Sequence, residues 1–238
     1  MSTAETTTVE PKTSLSRIPL SKERVLRAAI AVADQGGIES LTMRKLAQEL
    51  GVEAMSLYYH VANKDQVLDG VVEVIVTEII GVVGQIDEPA GADGWKTAMR
   101  QRILAAREVL LRHPWAPEVI EARTTMSPSI VTYFESLLGI FRSGGFSYDL
   151  AHHALHALGS RALGFSQELF KPDDAAGAEA SSAIFEQMAS RLPNLVGMMS
   201  EIAHDDPDST LGWCDDQTEF EFGLDLILNG LDGLRLRA

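Results

Sequence analysis

The sequence has few of the features on which secreted and membrane proteins depend. Its 238 residues include one cysteine, Cys214, so no disulfide can form within the chain. The longest apolar run, residues 71–83, contains Glu73 and Glu78 and is too short to span a bilayer. Residues 1–21 contain no apolar segment of the kind that a secretory signal needs. We therefore expect a cytoplasmic protein with no membrane partner.

Positive charge is also scarce, but the shortage is uneven. The chain carries 34 acidic and 20 basic side chains, a net charge of −14. Residues 1–64 hold eight basic and seven acidic side chains, whereas residues 65–238 hold 12 basic and 27 acidic ones. Contact with phosphate depends on the local field more than on the global sum. The acidity therefore excludes polyanion binding only for the larger, C-terminal part.

Neither internal repeats nor a strand-like alternation of apolar and polar residues is evident, while helical spacing recurs throughout. The pattern predicts an all-α protein, and its 45% apolar residues suffice for a packed core. We expect a flexible arm over residues 1–20, rich in Thr and Ser, then a three-helix domain over 21–68. A larger helical domain should occupy residues 69–238.

Capping residues set the expected N-terminal helices. Ser21, Thr42 and Asn63 are good N-caps, and glycines at 36–37 and 51 are helix stops. The expected helices are Lys22–Gln35, Thr42–Leu50, Glu53–His60 and Lys64–Val83. The last is rich in Val and Ile, so a buried strand is the alternative for part of it. Its length of about 20 residues without a turn signal favours a helix.

The C-terminal part also reads as helices separated by loops. The spacing predicts helices over Trp95–Arg112, from Ser127-Pro128 to about Ser143, from Ser147 to about Phe170, over Ala183–Leu192, and from about Phe220 to the end. The acidic run Glu201–Glu219 is expected to be a solvated loop.

Helices 2 and 3 have the dimensions of a helix-turn-helix, joined by "LGVEA". Val52, Leu57 and Val61 can close a small core with Leu46 and Leu50. The opposite side of the third helix then carries Tyr58, Tyr59, His60 and smaller side chains, which could bond phosphate oxygens or touch base edges. The alternative is that the two tyrosines are ordinary core aromatics.

The segment "SLTMRKLAQELGVEAMSLYYHVANKDQVLDG", residues 40–70, closely resembles the DNA-binding segment of the tetracycline-repressor (TetR) family. The shared pattern is L-T-x-R-x-L-A, then G-V, L-Y-x-H-V and N-K. The resemblance implies that helix 3 enters the major groove of double-stranded operator DNA. It also implies DNA contacts from Thr42, Arg44, Ala54, Met55, Ser56, Tyr58, Tyr59, His60 and Lys64.

Two C-terminal segments, "RSGGFSYDLAHHALHALGSRALGFSQELF" and "FEFGLDLILNGLDGLRLRA", resemble more weakly the regulatory domain of the same family. In that family the two corresponding helices form a four-helix bundle with a second subunit. The apolar stripe of the last helix fits this role. We expect a homodimer with contacts from Ala154, Leu158, Leu224, Ile227, Leu228 and Leu231.

The resemblance further implies a small-molecule effector held in the regulatory domain. Apolar and aromatic candidates to line the site are Trp95, Met99, Trp115, Phe134, Leu138 and Phe141, although each could equally be plain core. The family's tetracycline–magnesium site depends on two histidines, and this sequence has Ile80 and about Val119 there. An apolar or aromatic effector is therefore expected rather than tetracycline with magnesium.

Metal, redox and catalytic roles find little support. Asp149, His152, His153 and His156 share a helix face, but "HHALH" is not a distinctive metal motif, so we expect no metal or cofactor. Cys214 has no nearby cation to stabilise a thiolate. The sequence shows no nucleophile motif or Gly-rich phosphate loop. We expect a ligand-responsive repressor, with an all-α enzyme and a ligand-independent architectural DNA binder as alternatives.

Overall fold

The computed structural model describes residues 19–86, 94–124, 126–164, 191–194, 196–197 and 216–237. Within these ranges the regular elements are helices and no residue lies in a β-strand, which confirms the all-α class. Several expectations lie outside the described residues. They concern residues 1–18 of the arm, Cys214, most of the helix expected over 183–192, and residues 201–215 of the acidic run.

The N-terminal helices follow the capping residues. They are α1 (Lys22–Gly36), a 3₁₀ turn (Ile38–Ser40), α2 (Met43–Leu50), α3 (Ala54–Leu57) and α4 (Lys64–Val83). Oxygens of the N-caps Ser21 and Thr42 accept from backbone N–H groups three residues on, at 3.2 and 3.1 Å. Gly51 ends α2 in the left-handed conformation, with φ 64°, which glycine adopts without steric cost.

The third helix is shorter than predicted. It ends at Leu57 rather than His60, and the chain continues in tight turns, with the His60 N–H donating to the Leu57 carbonyl at 2.8 Å. Bonds between residues three apart tighten the end of a helix in this way. The side chains of residues 58–60 are therefore presented by a turn, not by a full helical face.

Helix α4 has the predicted bounds and is helical throughout, which settles the strand alternative. The Asn63 Oδ1 accepts from the Gln66 N–H at 2.8 Å. The Gln66 side chain reaches back to the N–H of Ala62, at 2.6 Å, one residue beyond the expected capping-box partner. These two bonds fix the direction in which α4 leaves the turn that follows α3.

The C-terminal helices are α5 (Trp95–Arg112), α6 (Ala116–Ala122), α7 (Pro128–Ser143), α8 (Tyr148–Gly164) and α9 (Asp216–Arg235). Helix α9 begins four residues before the predicted start at Phe220. The end of the acidic run, Asp216–Glu219, is therefore helical rather than loop.

Two hydrophobic clusters form the core. The first joins α1 to α4 with α6 and the end of α5, and the second joins α5, α7, α8 and α9. Helix α4 packs against α1 on one side and against α5, α6 and α7 on the other. The first cluster therefore runs across residues 68–69, where the sequence suggested a domain boundary.

A close approach at Gly144, the residue that follows α7, offers a test of this packing. A Cβ built there would lie 2.8 Å from the Cβ of Trp95, whereas one built at Gly139, within α7, meets nothing within 4 Å. We expect Gly144→Ala to destabilise the protein by about 1–3 kcal/mol through overpacking. Gly139→Ala should stabilise it by up to about 1 kcal/mol, since alanine is the better helix former. Urea unfolding followed by circular dichroism measures both, and equal effects would contradict the packing described.

Candidate DNA-binding site and regulatory domain

Helices α1 to α3 and the turn that follows α3 (residues 22–61) form a unit that we call the reading head. It has a buried scaffold and an outward-facing polar and aromatic surface. Leu57 and Val61 are buried as predicted. Met55, Tyr58 and Tyr59 are 72, 45 and 88% exposed. The tyrosines are thus not core aromatics, and folding alone gives no reason for an 88% exposed tyrosine next to a buried leucine.

The other expected DNA contacts surround this surface. Ala54, Arg44 and Lys64 are exposed, while Ser56 and His60 are half-buried. Lys64 is the first residue of α4, where the helix dipole also favours an anion. The Thr42 oxygen accepts the capping bond from the Lys45 N–H, which leaves its hydroxyl proton free for a phosphate oxygen.

A carboxylate of the head anchors it to the regulatory domain. Asp34, near the end of α1, accepts a hydrogen bond from the Trp115 indole at 2.7 Å and lies 2.8 Å from the Nδ1 of His113. Both partners belong to the junction between α5 and α6. This contact could not be expected from the sequence, because a single Asp at the end of an amphipathic helix usually faces solvent.

Two glutamates of α4 contact the neighbouring helices. Glu78 pairs with Arg112 of α5, and Glu73 accepts a hydrogen bond from Ser129 of α7. Burial acts to raise the pKa of Glu73, but hydrogen bonds from Ser127 and Ser129 outweigh it and hold that pKa below its ordinary value. Glu73 is therefore ionised at neutral pH and fixes α4 against the start of α7.

Arg123, directly after α6, forms ion pairs with α4 near the reading head. Its guanidinium lies 3.1 Å from Asp69 and 3.5 Å from Asp65, both in the first part of α4. The ion pairs lie within a turn or two of Lys64, the expected phosphate contact. The two ion pairs thus connect the end of α6 to the first part of α4.

The six expected effector-binding residues do not meet at one place. Trp95, Met99 and Phe141 are fully buried in the second cluster, where Phe146, which sequence reasoning missed, completes an aromatic group. The Trp95 and Phe146 rings lie 4.6 Å apart, edge to face. This geometry is that of a tightly packed core.

Leu138 is half-buried and packs against the same cluster. The other two lie elsewhere: Trp115 belongs to the first cluster and bonds to Asp34, and Phe134 is 39% exposed. Whether any of the six contacts an effector stays a prediction. A residue that periodicity could have singled out is Arg102, which lies on the same face of α5 as Met99 and Ala106 and is only 8% exposed.

The residues expected at the dimer seam are mostly turned inward. Five of the six are buried in the chain's own second cluster and the sixth, Ile227, is half-buried; the five are Ala154, Leu158, Leu224, Leu228 and Leu231. They hold α8 and α9 to α5 and α7 within the chain, and their part in a dimer stays a prediction. The outer face of α9 instead presents Phe222 and Leu226, 62 and 58% exposed.

The histidines of α8 are exposed on the surface. The rings of His152 and His156 lie 4.6 Å apart, and those of His152 and His153 5.7 Å apart. Over the described ranges, no group of three or more His, Cys, Asp or Glu side chains is arranged to hold a metal ion. In the same ranges no helix is both long and apolar enough to cross a membrane.

Residues 58–60 form an exposed turn, the reading turn, on a buried helix-turn-helix scaffold. This scaffold is joined to a larger helical domain, and the combination defines a DNA-binding regulator. Residues 25–71 match the model of the tetR family of bacterial regulatory proteins. Residues 88–235 match the model of the tetracyclin repressor-like C-terminal domain. The chain belongs to the TetR family of transcriptional regulators. Members of this family are not enzymes, which removes the enzyme alternative.

Known relatives extend over almost the whole chain. The tetracycline repressor protein class D of Escherichia coli is 29% identical, over 90% of this chain and 89% of its own. The transcriptional repressor DrrR1 of Streptomyces coeruleorubidus is 29% identical over 90 and 78%. The crystal structure of the TetR family protein ActR of Streptomyces coelicolor in complex with actinorhodin has a TM-score of 0.68 and 27% identity, over 90 and 95%.

Removal of one charge tests the phosphate contact assigned to Lys64. We expect Lys64→Ala to weaken binding to all DNA sequences alike and to lower the slope of log K against log salt by about one unit. Lys96→Ala is the matched control, because Lys96 lies on α5 beside Asn229 in the regulatory domain. Titrations of labelled duplexes at several salt concentrations measure both slopes. An unchanged slope for Lys64→Ala would refute the contact.

Proposed function

We propose that the protein is a cytoplasmic, homodimeric repressor that binds a palindromic operator and releases it when a small apolar or aromatic effector binds the regulatory domain. The observation that carries this proposal is the reading surface, where Met55, Tyr58 and Tyr59 stand exposed on a buried scaffold. Relatives described as repressors, and one bound to actinorhodin, support both the repression and the effector.

The outer face of α9 supports a dimer. Phe222, Leu226, Gly230 and Gly233 follow one another at intervals of four, four and three residues, so they share one side of the helix. Exposed apolar side chains and open space at both glycines make a surface that a second helix can approach closely. A two-fold axis through this face gives two reading heads, as a palindromic operator requires.

The contacts along α4 support the release step. An effector that favours one arrangement of the regulatory helices over another shifts α4 through its contacts with α5, α6 and α7, and the reading turn moves with it. The affinity for the operator falls only by the effector's preference between the two arrangements. Ile80 and Val119 offer no metal-binding atoms, so an effector other than tetracycline with magnesium is proposed.

Operator binding is tested by gel shift on DNA flanking the protein's own gene. At moderate salt we expect the protein to prefer a palindrome over random DNA of equal length. Tyr59→Ala should weaken that complex by roughly tenfold, the worth of one direct contact, with no loss of thermal stability. Tyr148→Ala, which removes another tyrosine that is 70% exposed but lies on α8, should leave binding unchanged. No preference for any palindrome would contradict the repressor function.

A charge on the outer face of α9 tests the dimer. Leu226→Glu should convert the protein to a monomer in sedimentation experiments, because it places carboxylates of both subunits in an apolar interface. Leu111→Glu is matched in chemistry and in exposure, 56 against 58%, but lies on α5, and it should remain dimeric. A dimer that survives Leu226→Glu would place the interface on another face.

A further inference from the structure

The exposed face of α8 carries two histidines one helical turn apart. His152 and His156 are four residues apart, so their side chains lie next to each other on one side of the helix. Both are exposed, whereas Ala151, Ala154 and Leu158 on the other side are buried in the second cluster. The buried side holds α8 in place, so the two imidazoles are presented to solvent from a rigid support.

The separation of the two rings is that of a chelating pair. The centroids of the His152 and His156 rings lie 4.6 Å apart, with an angle of 79° between the ring planes. Two imidazoles bound to one metal ion have centroids roughly 4.5–5 Å apart, because each ligating nitrogen lies about 2.0–2.1 Å from the metal. Exposed side chains change rotamer readily, and a rotation of the rings at this separation turns one nitrogen of each toward a common point.

The neighbouring polar side chains of α8 do not complete a larger ligand set. His153 follows His152 directly, so the two side chains diverge around the helix, and their rings lie 5.7 Å apart. Asp149 lies one turn earlier, but over the described ranges no three His, Cys, Asp or Glu side chains are grouped to hold a metal ion. The pair therefore supplies two ligands and leaves the other coordination positions to water.

We propose that His152 and His156 form an open binding site for a divalent transition-metal ion that prefers imidazole ligands, such as Zn²⁺ or Cu²⁺. Neutral imidazole nitrogens are ligands for both ions. Two histidines at positions i and i+4 of a helix are a known arrangement for binding zinc from one helix face. The site goes beyond the proposed repressor function and does not depend on it, because neither histidine belongs to the reading head.

Metal binding is tested with Zn²⁺ on the tag-free, full-length protein, in competition with a chromophoric chelator. We expect one Zn²⁺ per chain whose binding His152→Gln and His156→Gln each weaken by roughly tenfold or more, since each variant removes one of two ligands. His153→Gln is the matched control, because it removes an exposed histidine from the same helix, and it should leave the affinity unchanged. No bound Zn²⁺, or an equal loss in all three variants, would overturn the proposal.

The number of bound nitrogens gives a second, spectroscopic measure. Electron paramagnetic resonance of the Cu²⁺-loaded protein should show coupling to two imidazole nitrogens in wild type and in His153→Gln. The same spectrum should show one imidazole nitrogen in His156→Gln. One nitrogen in the wild-type protein would mean that the two histidines bind ions separately, and the shared site would be refuted.

Thermal unfolding distinguishes a site built by the helix from scattered binding to single histidines. The spacing of four residues brings the two imidazoles together only while α8 is helical, so an ion held by both stabilises the folded state. Zn²⁺ should raise the melting temperature of wild type and His153→Gln alike, and that of His156→Gln much less. An equal rise in all three proteins would argue against the pair. The gel shift on palindromic DNA is independent of each of these results, so the repressor function is tested separately.

Discussion

The close approach of Leu26 on α1 to Gly70 on α4 holds the reading head to the rest of the molecule. A Cβ at Gly70 would lie 2.5 Å from a Leu26 methyl group, so the absence of a side chain lets the two helices pack at this point. The buried face of α4 then continues through Ile75 to Ile79 into contact with the regulatory helices. Because one rigid helix serves both parts, the orientation of the reading turn is fixed by packing far from DNA.

The two parts of the molecule use their basic side chains differently. Several of the few arginines in the acidic regulatory domain form ion pairs between helices. Arg100 joins α5 to α9, and Arg123 joins the end of α6 to α4. Most of the remaining charge is acidic, which discourages the regulatory domain from lying on DNA. The near-neutral head keeps Arg44 and Lys64 exposed for phosphate.

Local signals in the sequence were sufficient for the helices and for the reading surface. N-caps at Ser21, Thr42 and Asn63 and the spacing of Leu57 and Val61 depend on neighbours within one or two turns, so they could be predicted. Which side of α9 packs inside its own chain could not be predicted in this way. That helix is apolar on two sides, with Leu224 and Leu228 inward and Phe222 and Leu226 outward, and periodicity does not say which of the two is buried.

The same limit applies to the regulatory core and to the Asp34–Trp115 contact. An aromatic that lines a ligand site and one that fills a core have the same spacing, so Trp95 and Phe141 could not be assigned from sequence. A contact between residues 81 positions apart depends on the finished fold. Arg102 could have been singled out from the sequence, because it is a charged residue among the apolar positions of one helix face.

The two kinds of contact along α4 differ in strength, and this difference suits a switch. Its Val and Ile face is buried and packs to a density that permits few alternatives. The ion pairs along its polar edge, which includes Glu78 and Asp69, are partly exposed to solvent. The side chains of Glu78 and Arg112 are 38 and 52% exposed, and that of Asp69 is 59% exposed. Ion pairs this exposed contribute at most about 1 kcal/mol each. Exchange of two or three of them therefore costs no more than the roughly 1–3 kcal/mol by which an effector typically changes the affinity of a regulator for its second ligand. Under the proposed release step, an effector redirects α4 along its polar edge while the apolar face keeps the helix intact.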